Sequence, residues 1–214
     1  MHSPRDDALN EMIRQGIELL KGGGVIAFPT DTVYGVGAHA FIDTAVRRIY
    51  NIKARPIDKP LALLIADSSQ MSQFAQEVPE VALRLAERFF PGGLTLVLKR
   101  SPAVATAAAG GETIAVRVPD HPIALALIRG IEAPLATTSA NVSGRPAPVT
   151  ADEVCEQIGH LVDLVIDGGR CPGAMESTVV DVSGKTPRLL REGAIPRKEI
   201  EGVCGELDVD GEGS

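Results

Sequence analysis

The chain has 214 residues, with 21 Lys and Arg against 28 Asp and Glu, a formal net charge of −7. That balance argues against a histone-like or polybasic nucleic-acid binder. Aromatics make up only 3% with no Trp, which argues against stacking bases on aromatic platforms, and 44% hydrophobic residues exclude disorder for most of the chain.

The acid excess is local. Glu199 to Ser214 carry Glu199, Glu201, Glu206, Asp208, Asp210 and Glu212 and no base, so the body holds 21 bases against 22 acids, net −1. Its cations can still be gathered into one anion site. The segment from Met1 to Asp7 lacks the apolar stretch of a signal peptide, and no window approaches the roughly 18 apolar residues of a membrane span. A cytoplasmic protein is expected. Cys155, Cys171 and Cys204, like His2, His39, His121 and His160, are scattered without metal-ligand spacing, so reduced thiols and no structural metal are expected.

In chain order, Leu9, Met12, Ile13, Ile17 and Leu20 recur at helical spacing over Asp6–Lys21 and are stopped by Gly22-Gly23-Gly24. Val25-Ile26-Ala27-Phe28 is a wholly apolar run, as expected of a strand buried on both faces. Similar runs follow at Leu61–Ala66, Leu94–Leu98, Ile114–Val118, Leu135–Thr138, Leu164–Ile166 and Thr178–Val182. Helical patterns fall at Asp43–Ile52, Pro79–Phe90, Pro122–Arg129 and Ala151–His160. This alternation predicts an α/β sheet with flanking helices. A single domain over residues 6–200 and a flexible acidic tail over 201–214 are expected.

Two strings are decoys. Gly35-Val36-Gly37-Ala38-His39-Ala40 matches a dinucleotide fingerprint, with Asp58 about twenty residues on, but Pro29 to Tyr34 intervene after the strand where the glycine turn should follow at once. Gly184-Lys185-Thr186 ends like a phosphate loop, yet Val179 stands where the opening glycine is needed, and a turn between strands is the better reading. No Gly-x-Ser-x-Gly elbow exists.

Four polar, glycine-bearing segments adjoin the apolar runs, where α/β sheets place ligands. They are Pro29–Gly35, Lys53–Pro60, Thr137–Gly144, and Ser177-Thr178 with Arg191. Each alone has a structural explanation in turns and helix ends. Together they supply cations for phosphate oxygens, with hydroxyls and an amide for a small zwitterion. At period two, Lys53 and Arg55 would project together from an extended stretch.

Pro29-Thr30-Asp31-Thr32-Val33-Tyr34-Gly35-Val36-Gly37, Lys53-x-Arg55, Lys59-Pro60-Leu61, Arg117-Val118-Pro119, Ser139-Ala140-Asn141-x-Ser143-Gly144, Ser177-Thr178-Val179 and Leu190-Arg191-x-Gly193 closely resemble the YrdC-like family of threonylcarbamoyl-AMP synthases. The resemblance runs from about Glu11 to Ile200. It implies a twisted open sheet, mixed parallel and antiparallel, whose concave face binds ligand. It also implies an activity: L-threonine, bicarbonate and ATP give threonylcarbamoyl-AMP and pyrophosphate. The product passes to the tRNA threonylcarbamoyl-transferase machinery for modification of adenosine 37 in ANN-decoding tRNAs.

By the same resemblance, Thr32, Arg117, Thr137 and Ser177 hold threonine. Arg55, Lys59, Thr95, Ser139, Asn141 and Arg191 hold ATP, and Lys53, Arg55, Ser139 and Asn141 are the catalytic group. Mg2+ is expected with ATP and no tightly bound cofactor, while the residues identify no general base. By this resemblance the short, single-domain form, without the second domain of longer members, is expected. An RNA-binding module remains an alternative, as does a silent relative, although the Lys53/Arg55 and Ser139/Asn141 pairs speak against silence. Weak RNA binding is left open as a partner property.

Overall fold

The computed structural model describes residues 4–56, 59–109, 111–173 and 175–209. The chain runs α1 (Pro4–Lys21), β1 (Val25–Phe28), β2 (Gly35–His39), α2 (Asp43–Lys53), β3 (Ala62–Leu64), α3 (Met71–Phe74), α4 (Glu80–Phe89), β4 (Leu94–Lys99), β5 (Thr113–Arg117), α5 (Pro122–Ile131), β6 (Leu135–Ser139), α6 (Ala151–Ile158), β7 (Leu164–Val165), β8 (Thr178–Asp181), β9 (Arg188–Arg191), α7 (Arg197–Cys204) and β10 (Asp208–Val209). The strands form one sheet in the order β10-β9-β8-β4-β5-β3-β6-β2-β1-β7. Pairings are mixed, with β3 parallel to β5 and β4 parallel to β8, but β4 antiparallel to β5 and β3 antiparallel to β6. The α/β reading with a mixed sheet therefore holds.

The predicted helices and strands are present, with ends shifted by a few residues. β1 is buried at all four positions, as its unbroken apolar run requires. The surprise is β2, which occupies the dinucleotide-like string. Gly35 and Gly37 pair with Ser139 and Thr137 across β6, and a Cβ on either glycine would press on Thr137 at 2.9 Å. The glycines give room to that side chain and to the Phe28 ring behind it, so the string is a strand rather than a phosphate turn. Val36 and Ala38, facing the other way, are fully buried.

The tail reading needs correction. α7 runs past residue 200 to Cys204, and Asp208 and Val209 pair in parallel with Arg188 and Leu189 at the sheet edge. Burial of Ile200 and Leu207 explains why the chain stays docked. The remaining acids Asp210 and Glu212 lie outside the described residues.

Two apolar clusters sit on opposite faces of the sheet. α2 and α4 cover one face over Leu61, Leu63, Leu94, Leu96, Leu98, Ile114 and Val116. α1 and α5 cover only the β1–β6 end of the other face, packing on Ile26, Phe28, Leu64 and Leu135. Strand alternation then leaves Ala62, Leu64, Thr95, Val97, Ala115, Arg117, Thr137 and Val179 on that second face, where they line a cavity. The second face of the central strands thus mixes apolar residues with Thr95, Arg117 and Thr137. No helix among the described residues is long and apolar enough to cross a membrane.

This two-faced register makes a prediction for one strand. Leu96→Ala, on the fully buried face, should cost about 2–5 kcal/mol in urea unfolding. Val97→Ala, one residue on and facing the cavity, should cost about 1 kcal/mol or less.

Candidate active site

The cavity encloses about 630 Å3, within the range that small-molecule sites occupy. It gathers the four polar segments that the sequence singled out. Its floor is made of small side chains, Ala62 and Ala115, which are paired across β3 and β5, with Thr137 on the neighbouring strand. These small residues hold the space open.

One end is built around Arg117 at the C-terminus of β5, which is 7% exposed. Its Nε donates to Gly92 O at 2.9 Å, Nη1 to Thr32 Oγ1 at 2.9 Å and Nη2 to Asp31 Oδ1 at 2.7 Å. Burial lowers its pKa and Asp31 opposes that shift; a guanidinium nevertheless stays protonated. Asp31 is fixed in turn by Asp120 N at 3.0 Å. The hydroxyls beside it have an assignable direction. Thr30 Oγ1 donates to Val33 O at 2.7 Å, so in its 3.0 Å contact with Thr32 it must be the acceptor. Thr32 therefore gives its proton to Thr30, takes one from Arg117, and keeps a lone pair for a ligand.

A second group gathers Thr95 on β4, Glu176 and Ser177 just before β8, and Arg191 on β9. Thr95 Oγ1 and Ser177 Oγ are 2.8 Å apart. Arg191 donates from Nε to Ser177 O at 3.0 Å, from Nη2 to Ser177 Oγ at 3.2 Å and from Nη1 to Glu176 Oε2 at 3.1 Å. The loop after β9 crosses directly over this segment: a Cβ on Gly193 would collide with Glu176 O. Only glycine allows that approach.

The opposite end is cationic. Arg55 and Lys59 line the cavity beside Ser139. Arg55 Nε donates to Lys59 O and Nη2 to Pro60 O, both at 3.0 Å.

Lys53 is placed differently from the expectation. It ends α2, and Ala54 then adopts a left-handed conformation with φ 48°, so Lys53 and Arg55 diverge instead of projecting together. Lys53 is 2% exposed. Its Nζ donates to Ser139 O, to Asn141 O at 2.7 Å and to Asn141 Oδ1 at 3.1 Å. Asn141 Nδ2 donates to Val142 O and Arg145 O. Neither side chain is among the residues lining the cavity. Together they clamp the loop that carries Ser139. Burial, with a contribution from Arg55, pushes the Lys53 pKa down to about 8, and Glu176 opposes the shift.

Of the residues proposed from sequence, Thr32, Arg55, Lys59, Thr95, Arg117, Thr137, Ser139, Ser177 and Arg191 therefore meet at one cavity. Sequence reasoning missed Asp31 as the partner of Arg117, Glu176 as the partner of Arg191, and the Ala62–Ala115 floor. The alternation Ala62, Leu64 against Leu61, Leu63 was the available signal for that floor. Among the described residues no cluster of three or more His, Cys, Asp or Glu could hold a metal ion.

A mixed α/β sheet with a cation-rimmed cavity on one face defines a small-molecule-binding α/β protein. Residues 18–193 match the family model Sua5_yciO_yrdC, described as "Telomere recombination", and the chain belongs to the Sua5/YciO/YrdC family. It is 46% identical to a threonylcarbamoyl-AMP synthase of Pyrococcus abyssi and 45% identical to one of Bacillus subtilis, each alignment covering 92% of this chain. The chain spans 58% of the length of each of those relatives. The crystal structure of P. abyssi Sua5 complexed with L-threonine superposes with a TM-score of 0.89, over 92% of this chain and 58% of that one, at 46% identity.

The clamp can be tested by its titration. Lys53→Met strands three acceptors, and each unsatisfied acceptor costs roughly 1–3 kcal/mol. A lysine depressed from 10.5 to about 8 binds fewer protons folded than unfolded between those pH values, so stability rises with pH there. The stability of the wild type relative to Lys53→Met should therefore grow between pH 8 and 10.5, by about 3 kcal/mol at most. Denaturant unfolding across that range measures it.

Proposed function

We propose that this chain is an L-threonylcarbamoyladenylate synthase, converting L-threonine, bicarbonate and ATP to threonylcarbamoyl-AMP and pyrophosphate. The observation that carries the reading is one cavity with cations at two levels of the sheet, Arg117 with Arg191 nearby at one end and Arg55 with Lys59 at the other. The named relatives and the threonine complex of the P. abyssi protein support it.

Arg117 has used three of its five N–H donors on Gly92, Thr32 and Asp31, which leaves two in a fixed fork for the threonine carboxylate. Thr32, Thr137 and Ser177 supply hydroxyls around it. Arg55 and Lys59, with Ser139, would hold ATP from the other end, and Thr95 and Arg191, beside Ser177, would hold it where it approaches threonine. Lys53 and Asn141 act through the loop they hold.

The balance of the reaction explains the charge. Threonine ammonium and bicarbonate give a carbamate, one water and one proton. The carbamate oxygen then attacks the α-phosphorus, and pyrophosphate leaves. Anionic reactants must approach one another, so fixed positive charge and orientation supply the catalysis, and no protein nucleophile is required. Mg2+ would arrive on ATP, with phosphates and water as its main ligands, and would neutralise charge on the transferring phosphoryl group. We place the reaction in the cytoplasm, with the product handed to the tRNA threonylcarbamoyl-transferase machinery.

Incubation with ATP, bicarbonate and L-threonine should release threonine-dependent pyrophosphate, and serine should support much less; no threonine-dependent release sinks the reading. Discrimination of one methyl group is worth only about 1–3 kcal/mol. Arg55→Ala should abolish turnover and leave threonine affinity within about twofold, because the transition-state charge is at the other end of the cavity. Arg117→Lys should weaken threonine binding by about tenfold or more while sparing ATP, since an ammonium cannot reproduce the fork. Calorimetric titration separates the two effects.

A further inference from the structure

Among the described residues lining the cavity, Arg55, Lys59, Arg117 and Arg191 are cations and Glu176 is the one anion. The proposed substrate is a zwitterion, so its ammonium group enters a space of concentrated positive charge. Hydroxyl groups can accept its hydrogen bonds, but only a carboxylate offsets its charge.

The position of Glu176 is fixed. Its carbonyl accepts from Ala194 N at 2.9 Å, and Gly193 packs directly over it. The side chain, 37% exposed, opens to the cavity. Its bond from Arg191 uses Oε2 at 3.1 Å, one of about four acceptor positions on a carboxylate. Ser177, the next residue, meets Thr95 at 2.8 Å, and the register pairing Leu96 with Val116 sets Thr95 opposite Arg117. The carboxylate thus stands on the same part of the cavity wall as the guanidinium that would take the substrate's other end. Arg191, its partner, is near enough to Arg117 to contribute to lowering that guanidinium's pKa, after burial as the main cause.

We propose that Glu176 is the acceptor for the α-ammonium group of the amino-acid substrate, the counterpart of Arg117 at the carboxylate. This rests on the threonine reading of the cavity. It gives the site a dipolar recognition element in which fork and carboxylate together select an α-amino acid over a simple hydroxy acid.

The test compares L-threonine with (R)-3-hydroxybutanoate, the same skeleton without the amine, by calorimetric titration of the full chain. Wild type should prefer threonine by about tenfold or more, as expected for a charge-assisted contact. Glu176→Gln should remove most of that preference and leave hydroxybutanoate affinity within about twofold; Glu176→Asp, keeping the charge on a shorter stem, should retain part of it. A thermal melt establishes that each variant folds, and the Asp variant carries the test should the Gln variant not fold. Retention of the wild-type preference in Glu176→Gln overturns the proposal. So does an equal loss for both ligands, which would assign Glu176 to holding Arg191 alone. Wild type that neither binds threonine nor releases threonine-dependent pyrophosphate overturns the underlying functional reading instead.

Discussion

Cations held in place by backbone carbonyl oxygens are the interaction on which this site depends. Arg117 rests on Gly92 O, Arg191 on Ser177 O, Arg55 on Lys59 O and Pro60 O, and Lys53 on Ser139 O and Asn141 O. A carbonyl fixes a guanidinium or ammonium group without cancelling its charge. A carboxylate would fix it and neutralise it. Asp31 and Glu176 add a carboxylate to Arg117 and Arg191, and each occupies one corner of its guanidinium. The cavity therefore keeps a positive potential while its side chains stay ordered, which is the preorganisation that accumulating negative charge needs. Part of the energy for burying these groups comes from the sheet and helix contacts around them.

The sheet makes this economical. α1 and α5 cover one end of its second face and stop at Leu64, which belongs both to the packed core and to the cavity wall. From there the central strands present Ala62, Ala115, Thr95, Val97, Arg117 and Val179 to the cavity while their opposite faces bury leucine, isoleucine and valine. Core and cavity are therefore two sides of the same strands. A substitution on the core face acts on stability, and its neighbour on the cavity face acts on ligand binding.

Much of the fold was readable in the sequence because apolar runs and helical spacing report burial directly. What escaped was written in small residues. Gly35 and Gly37 have no strand preference of their own, and their role appears only once Thr137 and Phe28 stand beside them. The terminal acids concealed Ile200 and Leu207, two apolar residues that suffice to dock α7 and β10. The site residues were found largely through polar segments beside strands and the family resemblance. The sequence paired Lys53 with Arg55 and Ser139 with Asn141, and nothing in that pattern shows that Lys53 Nζ reaches Asn141. That contact depends on the left-handed turn at Ala54, a residue whose identity does not announce it.

The carbonyl anchors carry an implication for how such a site varies among relatives. Glycine, serine and proline supply the acceptors at positions 92, 139 and 60, yet a backbone oxygen has no side-chain identity to preserve. Pairwise covariation will therefore register Arg117 with Asp31 and Arg191 with Glu176, and will be silent on most of what orients Arg55 and Lys53. Insertions and deletions are the changes to watch, because one residue added between Arg55 and Pro60 shifts every acceptor in that loop while leaving each charged side chain in the alignment.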